Sequence, residues 1–244
     1  MKRYRSLVAY DGTNYFGYQR QRAAHVTVQV KLEEALAHIS QQPVGVVAAG
    51  RTDTGVHATG QVIAFDLDWR YGVAKLERAF NSKLPADISV SQVAEAEETF
   101  HPRFDARRRA YQYRIYNQKD RDPIGRLYSW HVKRPLDIEA MNEAARHLVG
   151  VHDFAAFGKP TQGDSTVREM FRAEWRKQGS MLLFDIEASG FLYRMVRRIV
   201  GSLKRVGEGL WTPDRFAEVF LAAESSQSGP TAPPHGLFLV SVTY

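Results

Sequence analysis

A short loop bounded by glycines, residues 50–55, places a carboxylate beside a cation in the string Gly-Arg-Thr-Asp-Thr-Gly. The loop follows an apolar segment, 44–49, that is typical of a short buried strand. Glycines at both ends let the backbone turn sharply and present Asp53 next to Arg51 at the end of that strand. A carboxylate in this position can act as a base or a nucleophile. It can equally close an Asx-turn or pair with Arg51, and the loop alone leaves these alternatives open.

The segment 191–206 predicts an amphipathic helix with a cationic face. At about 100° per residue, its apolar side chains fall on one face and its basic side chains on the other. The basic residues are Arg194, Arg197, Arg198, Lys204 and Arg205. Two interpretations stay open: a solvated helix face, or an early arginine such as Arg197 that points into a cleft and pairs with a carboxylate.

The motifs of several common enzyme classes are missing from the sequence. There is no Walker A loop, no Gly-x-Gly-x-x-Gly after the first strand, no Gly-x-Ser-x-Gly and no protein-kinase motif set. The eight His are scattered without a His-Glu-x-x-His pair, so we expect no metal site and interpret His57 as structural or as an RNA contact. The absence of Cys excludes a thiol nucleophile, a disulfide framework and cysteine-bound metal.

Positive charge is concentrated in three segments. The chain has 33 Lys and Arg against 27 Asp and Glu, a net charge of +6. Residues 2–22 carry +4, 101–126 carry +5 and 191–207 carry +5, which leaves −8 for the remainder. Tyrosines alternate with arginines in 109–116, and this pattern favours nucleic acid because rings stack on bases while guanidinium groups bind phosphates. Each segment alone is also compatible with an ordinary solvated surface.

Length and composition indicate a globular protein. The chain has 244 residues, 44% hydrophobic and 25% charged, enough for one large domain or two smaller ones. No apolar stretch approaches the roughly 20 residues of a membrane-spanning helix. The apolar run before Asp11 is too short for a signal peptide. We therefore expect a cytoplasmic protein that does not engage a membrane.

The hydrophobic pattern predicts two α+β halves with mixed, mainly antiparallel sheets flanked by helices, 1–104 and 105–244. The first half has strands at 4–10, 44–49, 61–65 and 88–93, and helices at 27–39, capped by Thr27, and 73–83. The second half has strands at 106–117, 128–132, 166–176, 181–188 and 237–243, a loop at 151–165, and helices at 137–149, 191–206 and 213–223.

Several strings, taken together, resemble the tRNA pseudouridine synthase A family. Their order and spacing agree with the family across nearly the full chain. Two departures are visible: Tyr18 stands where the family usually has Trp, and Thr54 where it usually has Ala. The strings are the RNA-contacting loop 17–21, the catalytic motif 50–58, the tyrosine motif 104–111, the third motif 195–201, and 229–237 before the last strand.

The resemblance implies an isomerase that detaches uracil from its ribose and rejoins it through carbon 5, at positions 38, 39 and 40 of tRNA. It implies no cofactor, an active-site cleft between the two halves, and a homodimer whose clefts accept one tRNA. The target base lies in a stem or loop, so it must be flipped into a pocket.

The resemblance also assigns roles to residues. Asp53 is implied to be the catalytic carboxylate, with Arg197 as its salt-bridge partner. Tyr111 stacks on the uracil and is placed to help at carbon 5, and Leu237 lines the pocket wall. Arg51 fills the space left by the flipped base or grips its phosphate. Whether Asp53 attacks the ribose, adds to the base or removes a ribose proton stays open.

Further polar residues are candidates for contacts with the RNA backbone, which set affinity rather than base choice. They are Gln19, Arg20, Gln21, Arg107, Arg108, Arg109, Arg198 and Arg205. Two other functions stay open. A non-catalytic RNA-binding protein would not require Asp53, and a glycoside-cleaving hydrolase usually uses a pair of carboxylates, of which no second member stands out.

Overall fold

The structure is a computed structural model that describes residues 1–21, 25–161 and 163–244; Arg22, part of the first basic segment, lies outside them. The predicted α+β class is confirmed. The strands are β1 (Lys2–Tyr10), β2 (Val46–Ala48), β3 (His57–Leu67), β4 (Ile88–Glu95), β5 (Arg108–Tyr116), β6 (Trp130–His131), β7 (Gly150–Asp153), β8 (Val167–Gln178), β9 (Met181–Ala188) and β10 (Leu237–Thr243). The helices are α1 (Val28–Ser40), α2 (Val73–Asn81), α3 (Ile138–Arg146), α4 (Met195–Gly207) and α5 (Pro213–Leu221).

The chain divides into two compact units. The first comprises Met1–Arg107 and Phe238–Tyr244, and the second comprises Arg108–Leu237. The expected boundary after residue 104 lies three residues before this division. The last strand, which we expected in the C-terminal half, contributes all but its first residue to the first unit, because its pairing with β3 holds it there.

The first unit is built on the sheet order β4-β1-β3-β10, with β2 also paired to β3. All of these pairs are antiparallel except β10 with β3, where Phe238 lies opposite His57. Along β1, buried side chains alternate with more exposed ones, the period of a strand with one covered face. On the buried face, the rings of Tyr4 and Phe65 stack with centroids 5.8 Å apart.

The second unit is built on the antiparallel order β5-β9-β8-β7, and β6 pairs with β5 in parallel. Helix α3 packs against β8 and contacts both α4 and α5. Aromatic rings fill the core beneath α5: Phe157 stacks on Phe216 and Phe220 at centroid distances of 5.7 and 5.6 Å. These rings are fully or almost fully buried, so this layer holds α5 in place.

Three helices begin directly after an N-cap residue whose side chain accepts a hydrogen bond from the first turn. Thr27 accepts a hydrogen bond from the Val30 amide, and Asp137 accepts one from the Ala140 amide at 3.0 Å. Thr212 caps α5 in the same way, with proline in the first turn. The predicted starts of α1 and α3 are therefore confirmed.

Several predicted boundaries were wrong, among them the end of α3, which lies at Arg146 instead of 149. Residues 151–153, predicted as loop, belong to the edge strand β7, and their mixed, half-exposed pattern hides an edge strand from sequence reasoning. Helix α4 begins at Met195 instead of 191, because Arg194 has a left-handed φ of 60° and Tyr193 forms a bridge with Lys159. Strand β3 begins at His57 instead of 61, since β1 and β10 extend the ladder.

Candidate active site

The 50–55 loop is fixed at its first residue by a buried glutamine. The side-chain amide of Gln61 donates to the Gly50 carbonyl at 2.8 Å and accepts from the Gly50 amide at 3.2 Å. Gln61 is fully buried, so this double hydrogen bond is shielded from water. It sets the direction in which the chain leaves the preceding segment.

Two tyrosines fix the middle of the loop at Thr52. The Tyr10 hydroxyl lies 2.7 Å from the Thr52 hydroxyl, and the Tyr18 amide donates to the Thr52 carbonyl at 3.1 Å. The next residue, Asp53, closes a turn in which its carbonyl accepts from the Val56 amide at 3.1 Å. These contacts fix the backbone on both sides of the carboxylate. The Asp53 side chain is half-buried, whereas Arg51 is exposed.

Two glycines outside the loop allow the close approach that these contacts require. A Cβ on Gly12 would lie 2.0 Å from the Val56 carbonyl oxygen. A Cβ on Gly17 would lie 2.8 Å from the Thr52 carbonyl oxygen, and Gly17 also has a φ of +84°. No other residue type fits at either place without moving the loop.

His57 follows the loop and is buried, with 1% of its surface exposed. Its Nδ1 accepts a hydrogen bond from the Gly12 amide at 3.0 Å, and its ring stacks on Phe238 at 4.7 Å. These contacts favour the structural interpretation of His57 over the RNA contact.

The 17–21 loop presents fewer free polar groups than its sequence suggests. Tyr18 is 1% exposed, so its ring is not available to stack on a base. Arg20 forms an ion pair with Glu33, and Gln21 donates to the Phe16 carbonyl at 2.7 Å. Gln19 is half-buried. The loop is therefore fixed mainly by its own unit.

In the second unit, residues 229–236, which we call the strap, run across α4. The Arg197 Nε donates to the Ala232 carbonyl at 2.8 Å, and the Ala232 amide donates to the Arg197 carbonyl at 3.0 Å. A Cβ on Gly201 would lie 1.7 Å from the Pro230 carbonyl oxygen, so the strap lies directly on the helix. Arg197 is half-buried. These contacts are inconsistent with a freely solvated Arg197.

Tyrosines on β5 lie on the buried face of the second unit. Tyr111 is 8% exposed and meets Phe191 edge-on at 5.0 Å. The Tyr113 hydroxyl donates to the Pro233 carbonyl at 2.8 Å. Burial raises the pKa of Tyr113, and the positive charge of Arg197 opposes this rise. Leu237, the first residue after the strap, is buried.

The remaining predicted arginines have different surroundings. Arg107 is exposed, and Arg108 lies over the Phe171 ring at 4.1 Å. Arg109 donates to the Ser189 carbonyl at 2.9 Å. On α4, the Nη1 of Arg198 is buried, and Arg205 lies over the Trp211 ring at 5.4 Å. The basic residues of α4 therefore do not form one uniformly solvated face.

A comparison with protein families identifies the chain. The sequence profile described as tRNA pseudouridine synthase matches residues 7–105 and 144–244. The chain belongs to this family. Pseudouridine synthases isomerise uridine to pseudouridine in RNA, so the protein is an isomerase.

Curated members of the family match over essentially the whole chain. The tRNA pseudouridine synthase A of Pseudothermotoga lettingae is 43% identical over 246 residues, covering 100% of both chains. The protein of the same name from Thermoanaerobacter sp. (strain X514) is 43% identical, and the alignment covers 98% of both chains. The one from Anaplasma marginale is also 43% identical, and the alignment covers 99% of this chain and 100% of the relative. These alignments include the Tyr111 segment, which the family profile leaves out.

Sequence reasoning missed several residues that contact the segments carrying the candidate site residues of this pseudouridine synthase. Gln61, Tyr10 and Tyr113 carried no motif signal beyond the strands that contain them. The glycines did carry one: Gly12 lies in a turn signal and Gly201 inside a helix, where glycine is unfavourable unless another chain segment approaches closely. In the described ranges, no group of three His, Asp or Glu side chains could hold a metal ion, and no helix is long and apolar enough to cross a membrane.

Proposed function

We propose that this pseudouridine synthase acts on tRNA at uridines 38, 39 and 40 of the anticodon stem and loop, with Asp53 as the catalytic carboxylate. The observation that carries the assignment is the loop around Asp53, whose backbone is fixed at Gly50, Thr52 and Val56. A fixed, half-buried carboxylate fits a residue that must meet a reacting atom in one geometry.

The reaction exchanges one glycosidic bond for another. The bond from uracil N1 to ribose C1′ breaks, a bond from C5 to C1′ forms, C5 loses a proton and N1 gains one. Atoms and electrons balance within the substrate, so the isomerisation requires no redox partner or cofactor. Asp53 acts as a nucleophile if it attacks C1′ or adds to the base, and as a base if it removes a ribose proton.

By the family resemblance, we propose Arg197 as the ion-pair partner of Asp53. Its hydrogen bond to Ala232 of the strap supports this role, because it fixes the guanidinium group on α4. Tyr111 stacks on the uracil, and Leu237 lines the pocket wall. Both side chains are buried, as expected for residues that enclose a base rather than attract the RNA.

The target base leaves its stack before the reaction, which costs a few kcal/mol of unstacking. We propose that exposed Arg51 fills the vacated space or holds the adjacent phosphate. The candidate contacts with the RNA backbone, such as exposed Arg107, supply binding affinity for the tRNA. This affinity offsets the cost of unstacking the base. We further propose a cytoplasmic homodimer, for which light scattering should give twice the 27.7 kDa chain mass.

The test is tritium release from tRNA labelled at uracil carbon 5. Wild-type protein should release the label without added metal or cofactor. Asp53→Asn should bind the same tRNA and release essentially none, because the amide is neither a base nor a nucleophile. The matched control is Asp68→Asn, which makes the same change at an exposed position just after β3 and should leave release unchanged.

Three tRNA transcripts, each with uridine at only one of positions 38, 39 and 40, then test the site assignment. Release from all three supports the proposal. If none of the three transcripts releases tritium but another uridine of the tRNA does, the protein is a pseudouridine synthase that acts at a different position, and the site assignment is wrong. Release by Asp53→Asn would remove Asp53 from its proposed role.

A further inference from the structure

We propose that Phe104 is a stacking site for an unpaired base of the RNA substrate. This inference rests on the proposed function and deepens it. It adds an aromatic contact outside the Asp53 loop, on the segment that connects β4 to β5 in sequence.

Phe104 is unusually exposed for its residue type. Its relative exposure is 66%, against 47% for Phe16 and 45% for Tyr71, which are also exposed aromatic residues. An exposed phenylalanine contributes little to the stability of the fold, because its ring is not removed from water. Its ring is therefore available to a binding partner.

The turn that carries Phe104 is held by its own hydrogen bonds. The Nδ1 of His101 accepts from the amides of Arg103 and Phe104 at 3.2 and 3.3 Å. The Asp105 carboxylate accepts from the His101 amide at 2.8 Å, and the Asp105 amide donates to the His101 carbonyl at 3.0 Å. The Phe104 backbone is thus fixed even though its side chain is exposed.

Hydrogen bonds and a ring contact join the same turn to Thr243 and Tyr244 within the first unit. The Tyr244 hydroxyl donates to the Pro102 carbonyl at 2.9 Å, and the ring of Tyr244 meets Phe100 edge-on at 5.0 Å. The Arg107 amide donates to the Thr243 carbonyl at 2.8 Å. These contacts on both sides of Phe104 give the turn a defined position.

The Phe104 ring is already stacked on one side. Its centroid lies 4.2 Å from that of His101, with 29° between the ring planes. The high exposure of Phe104 leaves the rest of the ring open to a second flat group. A ring that is fixed by the backbone and supported from behind loses little conformational entropy when a base stacks on it.

The neighbouring charges favour RNA as the source of that group. Arg103 and Arg107 lie on either side of Phe104 in sequence, and the carboxylate between them, Asp105, accepts the His101 amide. Aromatic rings beside arginines bind unpaired bases and their phosphates. Bases within a duplex are already stacked on each other, so the partner is an unpaired base.

The experiment measures affinity for an unmodified tRNA transcript and for a fully paired RNA duplex, using Phe104→Ala and Phe104→Trp. We expect Phe104→Ala to weaken tRNA binding about tenfold or more, the usual effect of removing one stacking side chain. Phe104→Trp should stay within about twofold of wild type, because it keeps the stacking surface. Neither variant should change binding to the duplex.

Salt dependence separates stacking from charge. Phe104→Ala should leave the slope of log affinity against log salt unchanged, whereas Arg107→Ala should reduce its magnitude by about 0.7, the value for one phosphate contact on a single strand. Leu221→Ala, which removes a 76%-exposed apolar side chain from the end of α5, is the control for loss of exposed apolar surface and should bind tRNA normally. Melting temperatures of all variants should match wild type.

The inference is overturned if Phe104→Ala binds tRNA as wild type does, if Phe104→Trp is as weak as Phe104→Ala, or if duplex binding falls equally. Tritium release by the wild-type protein, measured on the same preparation, tests the proposed function separately. Release with no effect of Phe104→Ala rejects only the stacking site. If Phe104→Ala loses tRNA binding but the wild-type protein releases no tritium, only the proposed reaction is rejected.

Discussion

The 50–55 loop and helix α4 fix their charged residues in different ways. The loop around Asp53 is held by neighbours in the first unit, such as Gln61 on β3 and Tyr10 on β1. Arg197 is held by the strap, about 35 residues further along the chain. The position of the carboxylate therefore depends on sheet residues, whereas the position of the guanidinium group depends on an irregular segment reaching a helix.

The two regions share one feature, a glycine in close contact with a backbone carbonyl group. A Cβ would lie 2.0 Å from the Val56 oxygen at Gly12 and 1.7 Å from the Pro230 oxygen at Gly201. We therefore expect that each charged residue can be displaced by a substitution at the glycine of its own unit. A change in the strap should disturb Arg197 and spare the loop, and a change at Gly12 should do the reverse.

The largest effect should come from removing the guanidinium group itself. If Arg197 is the ion-pair partner of Asp53, as proposed, we expect Arg197→Ala to lower the rate of tritium release in single-turnover assays about 10²- to 10⁴-fold, since removing one partner of a desolvated ion pair costs about 3–5 kcal/mol. Arg197→Lys should recover only part of the rate, because it keeps the charge but loses the Nε donor to Ala232. Near-normal release by Arg197→Ala would remove Arg197 as the proposed partner of Asp53 and leave it a structural contact of the strap.

A pair of glycine substitutions tests whether the two regions are independent. Gly201→Ala and Gly12→Ala should each lower the free energy of unfolding by about 3 kcal/mol, because a backbone carbonyl must move. Urea denaturation measures this loss. Gly45→Ala is the control, since a Cβ there would meet nothing within 4 Å and stability should change by less than about 0.5 kcal/mol.

Amide exchange then shows where each glycine substitution acts. Gly201→Ala should speed exchange in α4 much more than at the Gly50 amide, while Gly12→Ala should speed exchange at Val56 much more than at the Ala232 amide, because local opening adds to any global effect. Equal acceleration in both regions from either variant would contradict the proposed independence.

The smallest effect should be a gain in stability at Tyr18. Its hydroxyl is buried, and no described residue offers it a hydrogen bond. Tyr18→Phe removes this group and keeps the ring that lies 6.3 Å from Tyr10, so we expect about 1 kcal/mol of added stability. Unchanged tritium release would agree with a packing role, and a loss of tRNA affinity would restore Tyr18 as an RNA contact.

Much of the fold could be predicted from the sequence because its signals are local. The run 4–10 before the Asp11-Gly12 turn signal predicted β1, and the Thr27 and Asp137 caps located the starts of α1 and α3. The start of α4 could not be predicted, because Arg194 adopts a left-handed backbone that apolar periodicity does not reveal. The edge strand β7 was missed because half-exposed residues carry little periodic signal.

The candidate site was partly predictable for the same reason. Asp53 and Arg197 stood out by residue type and motif, and their roles stay predictions. His57 stood out equally, yet it is buried against Phe238, a partner far away in sequence. Burial of that kind depends on contacts between distant segments, which a local string does not contain.

The amino-acid sequence by itself determined the α+β class, the family and the residue types that could carry the reaction, because periodicity, caps and motifs are properties of neighbouring residues. Only the tertiary structure decided which side chains are fixed and which are exposed. Gln61 against Gly50, the strap against Gly201 and the exposed ring of Phe104 all depend on segments brought together by folding. Hydrogen bonds and packing act over a few ångströms in space, whatever the separation along the chain.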